Sequence, residues 1–273
     1  MTKKIKLAFS GSGPRFPVFA GAFKRLEEEG IEVTKVIGTS GGSIIAASIA
    51  SGMKADQIIK LCQEIMPKLG SMVAFNPFNL LSNWGLDNGN KIQAELSKHF
   101  VKTFKETKIP LFVTATNFDT QDSEIFHTTH NPNMEVAKAV RMSMSMPVVF
   151  TPVEHKGSLY VDGGVKYNFP IDYFINEPDV FGFYFNDSLG GTRRPRPKGL
   201  FSSVAFISRI IDMMIGAKTE DDLSDGSRVN AIPVSTDIEG LDFNLSKEDV
   251  NKMIRQGYEA CDKWLKKNPG KLK

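Results

Sequence analysis

The sequence predicts an α/β fold in which a mostly parallel central sheet is flanked by helices in three layers. Three observations carry that prediction. Short β-type apolar runs alternate with helical apolar stripes from the first residues onward. Glycines stand at the points where a strand gives way to a helix. The 273 residues, 41% hydrophobic and 24% charged, hold no internal repeat, low-complexity tract or linker, so one domain over 1–273 is the simplest reading.

Ile5 to Phe9 reads as the first strand and Gly11 to Phe16 as the loop after it. Pro17 suits a helix start, and Val18, Phe19, Ala22, Phe23 and Leu26 form one stripe that ends at Gly30. Val33 to Ile37 is a second strand, with a second helix beginning at Ser40. Lys54 to Met66 reads as a helix stopped near Pro67. Residues 68–90 are an apolar loop of poor periodicity, either a cap over a site or a loop packing its aromatics into the core. Asn88 to Phe100 resumes as helix. Leu111 to Thr116 and Glu124 to Thr128 form a hairpin through Asp119 to Asp122. Glu135 to Met144 is helical and ends before Pro147. Leu159 to Val161 and Val180 to Phe185 are strands. Pro233 marks Asn230 to Ser235 as an edge strand, and Ser246 to Lys267 is an amphipathic helix with Ser246 as N-cap and Asp249 at N3.

Composition excludes several classes. A net charge of +3 gives no electrostatic case for nucleic acid. No apolar run reaches the length of a membrane span. The basic amino terminus lacks an apolar h-region, which predicts a cytoplasmic protein without a secretory signal, with export by a route that needs none as the alternative. Cys62 and Cys261 are too few and too distant for a disulfide framework or a zinc site, and no acidic or histidine cluster has metal-ligand spacing, so neither metal nor cofactor is expected.

The chemistry concentrates in three segments. Gly38-Thr39-Ser40-Gly41-Gly42 satisfies G-x-S-x-G between a strand and a helix, the setting of a nucleophile elbow. Small neighbours let the backbone turn tightly, and the following helix aims its first N–H groups at the reacting centre. Ser10-Gly11-Ser12-Gly13-Pro14-Arg15-Phe16 follows the first strand and can aim backbone N–H groups into one concavity. It is neither a dinucleotide fingerprint, since position 16 is Phe, nor a P-loop. In a parallel sheet both loops fall at the same sheet end. Asp162-Gly163-Gly164 follows a short strand and offers a carboxylate that backbone N–H groups can hold.

These three motifs, in this order, resemble the patatin-like phospholipase family, with its glycine-rich oxyanion loop, G-x-S-x-G and D-G-[GA]. Ala139-Val140-Arg141-Met142-Ser143-Met144-Ser145-Met146-Pro147 is similar to the family's A-x-R-A-S-x-S-x-P, and Asp162 to Pro170 to its D-G-G-x-x-x-N-x-P. Val113 to Phe118 resembles the family's strand before the hairpin. The likeness spans 4–185, leaving 186–273 as C-terminal helices and an edge strand. It implies a lipid acyl hydrolase acting on carboxylic esters of phospholipids or lysophospholipids. Ser40 would be the nucleophile and Asp162 the base, Gly11, Ser12, Gly13 and Gly41 would supply the oxyanion hole, and Gly38, Gly42, Gly163 and Gly164 would support the turns. Arg15 would orient the loop or meet a headgroup. The chain departs from the family at Ser12, which replaces the middle glycine of the loop, and at Phe16, which replaces the last.

Alternatives stand beside this. A Ser-acid-His triad would draw on Asp119 or Asp122 with His127, His130 or His155. The same acyl-enzyme can serve an acyltransferase, and a weakened loop can leave a lipid-binding module. The basic run Arg193 to Lys198 before an apolar stripe from Leu200 to Met214 either docks on anionic lipid or precedes a core-packing helix. Transient membrane contact is expected of a lipid hydrolase; an activating protein or ligand is not named by these residues.

Overall fold

The computed structural model describes residues 3–73, 76–186, 206–207, 209–211, 213–217, 219, 230–238, 240 and 242–271. Its frame is an eight-stranded sheet. Five strands are parallel neighbours: β10 (Asn230–Val234), β9 (Val180–Phe185), β1 (Lys4–Phe9), β2 (Glu32–Gly38) and β4 (Leu111–Asn117). β5 (Asp122–His127), β7 (Val153–His155) and β8 (Ser158–Asp162) add an antiparallel end. Among the described residues β10 pairs only with β9, and Pro233 sits on that edge strand, where its missing N–H interrupts no central ladder.

The strands alternate as their sequences require. Leu7, Phe9 and Val36 face the larger core with α1 (Pro17–Glu28), α2 (Gly41–Ala50) and α3 (Ala55–Met72). Ala8 and Ile37 face a smaller cluster built on Phe169, Ile171 and Phe174, which a 3₁₀ turn, Pro170–Phe174, lays across the opposite face. The carboxy-terminal helix α7 (Lys247–Lys267) starts at a capping box between Ser246 and Asp249. It lies close against α1: a side chain on Gly21 would strike the carbonyl of Ile254, and one on Gly257 the carbonyl of Val18.

Two expectations are corrected. α3 does not stop at Pro67 but runs through it to Met72, because Leu61, Ile65, Met66 and Leu69 keep one buried face in register across the proline. One missing intrahelical bond is outweighed by that burial. Residues 68–90 are not a loop either. They hold the end of α3, then α4 (Pro77–Asn83) and β3 (Gly85–Asp87), and β3 pairs with β6 (Val148–Phe150) in a separate two-stranded sheet. α5 (Asn90–Leu96) and α6 (Val136–Ser143) follow the expected helices. The basic run 193–198 lies outside the described residues. Among the described residues no helix is long and apolar enough to cross a membrane.

Candidate active site

β4 brings the site together. β5 occupies one edge of β4 from Phe112 to Asn117, so β2 and β8 must share the other edge. β2 climbs that edge in parallel and ends with Gly38 opposite Val113. β8 descends it antiparallel and ends with Asp162 opposite Ala115. The two strand ends meet head-on across Thr114, whose Oγ1 lies 2.7 Å from Thr39 Oγ1. Ser40, two residues past the end of β2, and Asp162, the last residue of β8, are therefore delivered to one place, 122 positions apart in sequence.

There Ser40 Oγ donates to Asp162 Oδ2 at 2.7 Å. Ser40 has φ +49° and ψ −125°, outside the wells open to a side-chain-bearing residue at low cost. Such a conformation stores about 1–3 kcal/mol and needs surroundings that hold it. The glycines of the motif are those surroundings. A Cβ on Gly38 would lie 2.6 Å from the Gly42 carbonyl oxygen, and one on Gly42 would strike the Ser10 carbonyl. The Ser40 N–H donates to Ser143 Oγ at 2.8 Å. Asp162 is held through its Oδ1, which accepts from Gly164 N–H at 2.8 Å, and through its own N–H, which donates to the Ser145 carbonyl at 2.9 Å. Gly163 packs directly on Thr114. Full burial pushes the Asp162 carboxyl up to about 7, a rise only partly opposed by the Ser40 hydroxyl and the Gly164 N–H.

The glycine loop after β1 folds over the same point. Ser12 has φ −149°, so serine replaces glycine there without strain, whereas Gly13 at φ +57° holds the position that calls for glycine. Among the expected donors, Gly11 is corrected: its N–H donates to the Asn168 carbonyl at 3.0 Å and is not free for an oxyanion. The backbone N–H groups of Ser12, Gly13 and Gly41 have no acceptor among the described residues, and Gly41 lies so near Gly13 that a side chain there would strike the Gly13 carbonyl. Arg15 is buried; its Nε donates to the Ser12 carbonyl at 3.2 Å and its guanidinium lies 4.4 Å from the Phe185 ring centre, which ties the loop to β9. Phe16 is buried as well and lines the cavity rather than blocking it.

Ser40 and Asp162 open into a cleft of about 970 Å³, part of it open to solvent. Its walls are apolar, with Ile44, Ile65, Leu69, Leu96, Met146 and Phe243 among them. No histidine stands among the described residues that line it. His127 lies opposite Phe112, at the far end of β4 from the Ala115–Asp162 pair, and stacks on the Phe112 ring. The arrangement can therefore present a hydroxyl, a carboxylate and unpaired N–H groups to an ester carbonyl without an imidazole.

Sequence reasoning assigned no role to Ser143, Ser145, Arg141 or Asn168. Arg141 is 2% exposed and its guanidinium ties three segments, donating to the carbonyls of Asn88 and Thr151 and to Ser145 Oγ. The signal for the first three was the 139–147 segment, where Arg141 and Ser143 interrupt the apolar end of α6 and Ser145 follows it, and for Asn168 the stretch Asp162 to Pro170.

Comparison with known proteins identifies the family and the fold. A family model described as patatin-like phospholipase matches residues 7–175. Uncharacterized protein R571 of Acanthamoeba polyphaga mimivirus is 30% identical over 274 residues, 93% of this chain and 91% of that protein. Probable lipid hydrolase 463L of Invertebrate iridescent virus 6 is 28% identical over 184 residues, 62% of each. The crystal structure of VipD from Legionella pneumophila shares the fold, with a TM-score of 0.58 over 97% of this chain and 67% of that one, at 16% identity. On these grounds the chain belongs to the patatin-like phospholipase family.

Proposed function

We propose that this protein is a lipid acyl hydrolase that cleaves carboxylic esters of phospholipids or lysophospholipids through a Ser40–Asp162 dyad and an acyl-enzyme. The observation that carries the reading is the 2.7 Å bond from Ser40 Oγ to a buried carboxylate at the floor of an apolar cleft. Ser40 Oγ attacks the ester carbonyl while its proton passes to Asp162. The oxyanion is received by the N–H groups of Ser12, Gly13 and Gly41 at the start of α2, each such donor being worth about 3–4 kcal/mol of barrier. The C–O bond to the leaving alcohol breaks as that oxygen takes the proton from Asp162. Water then releases the acid and regenerates Ser40.

The bilayer contact that such a substrate needs is assigned to α4. Phe78, Leu81 and Trp84 are 78%, 83% and 63% exposed and recur every third residue on and just after it. Residues 71–86 carry no charge, so the surface fits the neutral interfacial zone of a membrane. α4 sits beside the cleft: Asn79 Nδ2 donates to the Gly85 carbonyl and Thr151 Oγ1, next to cavity-lining Phe150.

A fluorophosphonate probe tests the dyad. Wild type is expected to label, Ser40→Ala not to label, and mass spectrometry of lipids treated with wild type but not Asp162→Asn to show free fatty acid. A folded wild type that stays unlabelled ends this reading.

A further inference from the structure

Asn168 lies four-hundredths exposed on the cleft wall, and its side chain divides into two halves with different surroundings. Its Nδ2 donates to Thr219 Oγ1 at 2.6 Å. The Thr219 hydroxyl turns its own proton toward the Ile215 carbonyl, 3.4 Å away, and accepts from Asn168, so Oδ1 is turned the other way. That Oδ1 is buried and has no donor among the described residues. A buried amide oxygen without a donor is costly, and a site that retains one beside reacting groups calls for a ligand with a proton to give.

The neighbours of Oδ1 say which ligand. A point one Cβ away from Gly164 is 2.7 Å from Asn168 Oδ1 and 3.1 Å from Asp162 Oδ1, so the two oxygens are no more than about 6 Å apart. One water donating to both at ordinary hydrogen-bond lengths, its two O–H bonds at a tetrahedral angle, spans about 4.5 Å, within that bound. A side chain on Gly11 would likewise strike Asn168 Oδ1 while standing 3.6 Å from Ser40 Cβ, which places the amide oxygen beside the nucleophile as well as the base.

We propose that Asn168 is a positioning residue for the second half of the reaction: it holds the water that attacks the acyl-enzyme. The inference rests on the dyad reading above. Once Ser40 Oγ is acylated it no longer carries the proton that engaged Asp162. Water then donates one hydrogen to the Asp162 carboxylate and the other to Asn168 Oδ1, which turns a lone pair toward the acyl carbon. The new C–O bond forms as one proton passes to Asp162. The tetrahedral intermediate collapses, the bond from carbon to Ser40 Oγ breaks, and Oγ takes that proton back as the fatty acid leaves. An alcohol acceptor brings a single hydroxyl hydrogen, which Asp162 takes, and carbon where water has its second hydrogen. Asn168 therefore favours water over alcohols, and sets hydrolysis against transacylation.

The test is the partition of one acyl-enzyme between two acceptors, a ratio independent of how much of a preparation is folded. Wild type, Asn168→Ala and Thr219→Val are given p-nitrophenyl butyrate with glycerol, and butyrylglycerol and butyrate are measured. Asn168→Ala is expected to raise the ratio of butyrylglycerol to butyrate about tenfold, the effect of one lost hydrogen bond, with acylation of Ser40 by the fluorophosphonate kept within about twofold. Thr219→Val, which frees the amide to rotate but leaves Oδ1, is expected to raise it about two- to threefold, and it carries the test if Asn168→Ala does not fold. An unchanged ratio in a variant that labels normally overturns the inference and leaves the dyad standing. A wild type that neither labels nor forms butyryl-Ser40 overturns both.

Discussion

Replacing Asp162 by Asn should abolish turnover and, above neutral pH, make the protein more stable. The carboxyl is raised from an ordinary 3.8 to about 7 because burial removes it from water faster than Ser40 and Gly164 restore its hydrogen bonds. The folded state therefore keeps a proton that the unfolded state releases near pH 4. Between pH 4 and 7 the native protein binds more protons than the unfolded chain, so this group's contribution to stability is full below pH 4 and is lost as pH rises through 7. A shift of about three units at 1.36 kcal/mol each makes the loss on the order of 4 kcal/mol. Asparagine has the same shape, still accepts from Ser40 Oγ or Gly164 N–H, and does not ionise. Urea unfolding of wild type and Asp162→Asn from pH 4 to 8 is the measurement. The difference in unfolding free energy should be small near pH 4 and grow in favour of the variant by up to about 1.4 kcal/mol per pH unit, flattening above pH 7. A difference that stays flat, or that grows against the variant, refutes the assignment of a buried, strained carboxylate.

Four further outcomes follow from the same geometry. Because Asp162 must be ionised to take the Ser40 proton, kcat/KM for a soluble ester should fall about tenfold per pH unit below about 7, measured by p-nitrophenol release against pH. Gly42→Ala should destabilise by about 1–3 kcal/mol in urea and lose fluorophosphonate labelling, since the new methyl meets the Ser10 carbonyl. Arg141→Met should cost about 3–5 kcal/mol by leaving the Asn88 and Thr151 carbonyls unpaired, and Arg141→Lys should not rescue it, because a single ammonium cannot reproduce the fork. Exchanging Phe78, Leu81 and Trp84 for Ser should reduce sedimentation with phosphatidylcholine vesicles about tenfold or more while leaving soluble-ester hydrolysis within twofold, and the wild-type binding should change little with salt.

The linear sequence by itself determined the alternating architecture, because apolar periodicity and the glycines at strand ends are local properties. Ile5 to Phe9, Val33 to Ile37 and the capping box at Ser246 are legible that way, and so is the tight turn at Ser40, where Gly38 closes on Gly42 within five residues, although Gly41 and Gly42 also face the distant loop after β1. Where the reading failed, a distant partner had outvoted the local signal. Pro67 argues for a helix end, yet α3 continues because its buried face is held against the cleft; residues 68–90 look structureless, yet β3 finds its mate in β6, sixty residues on. Gly11 reads as an oxyanion donor until the Asn168 carbonyl claims its N–H. What only the tertiary structure decided is the meeting of Ser40 with Asp162. A strand has two edges, β5 fills one edge of β4, and the parallel β2 and antiparallel β8 are left to share the other, ending face to face across Thr114. No spacing along the chain encodes that encounter, since it arises from which edges remain unpaired after the sheet is assembled.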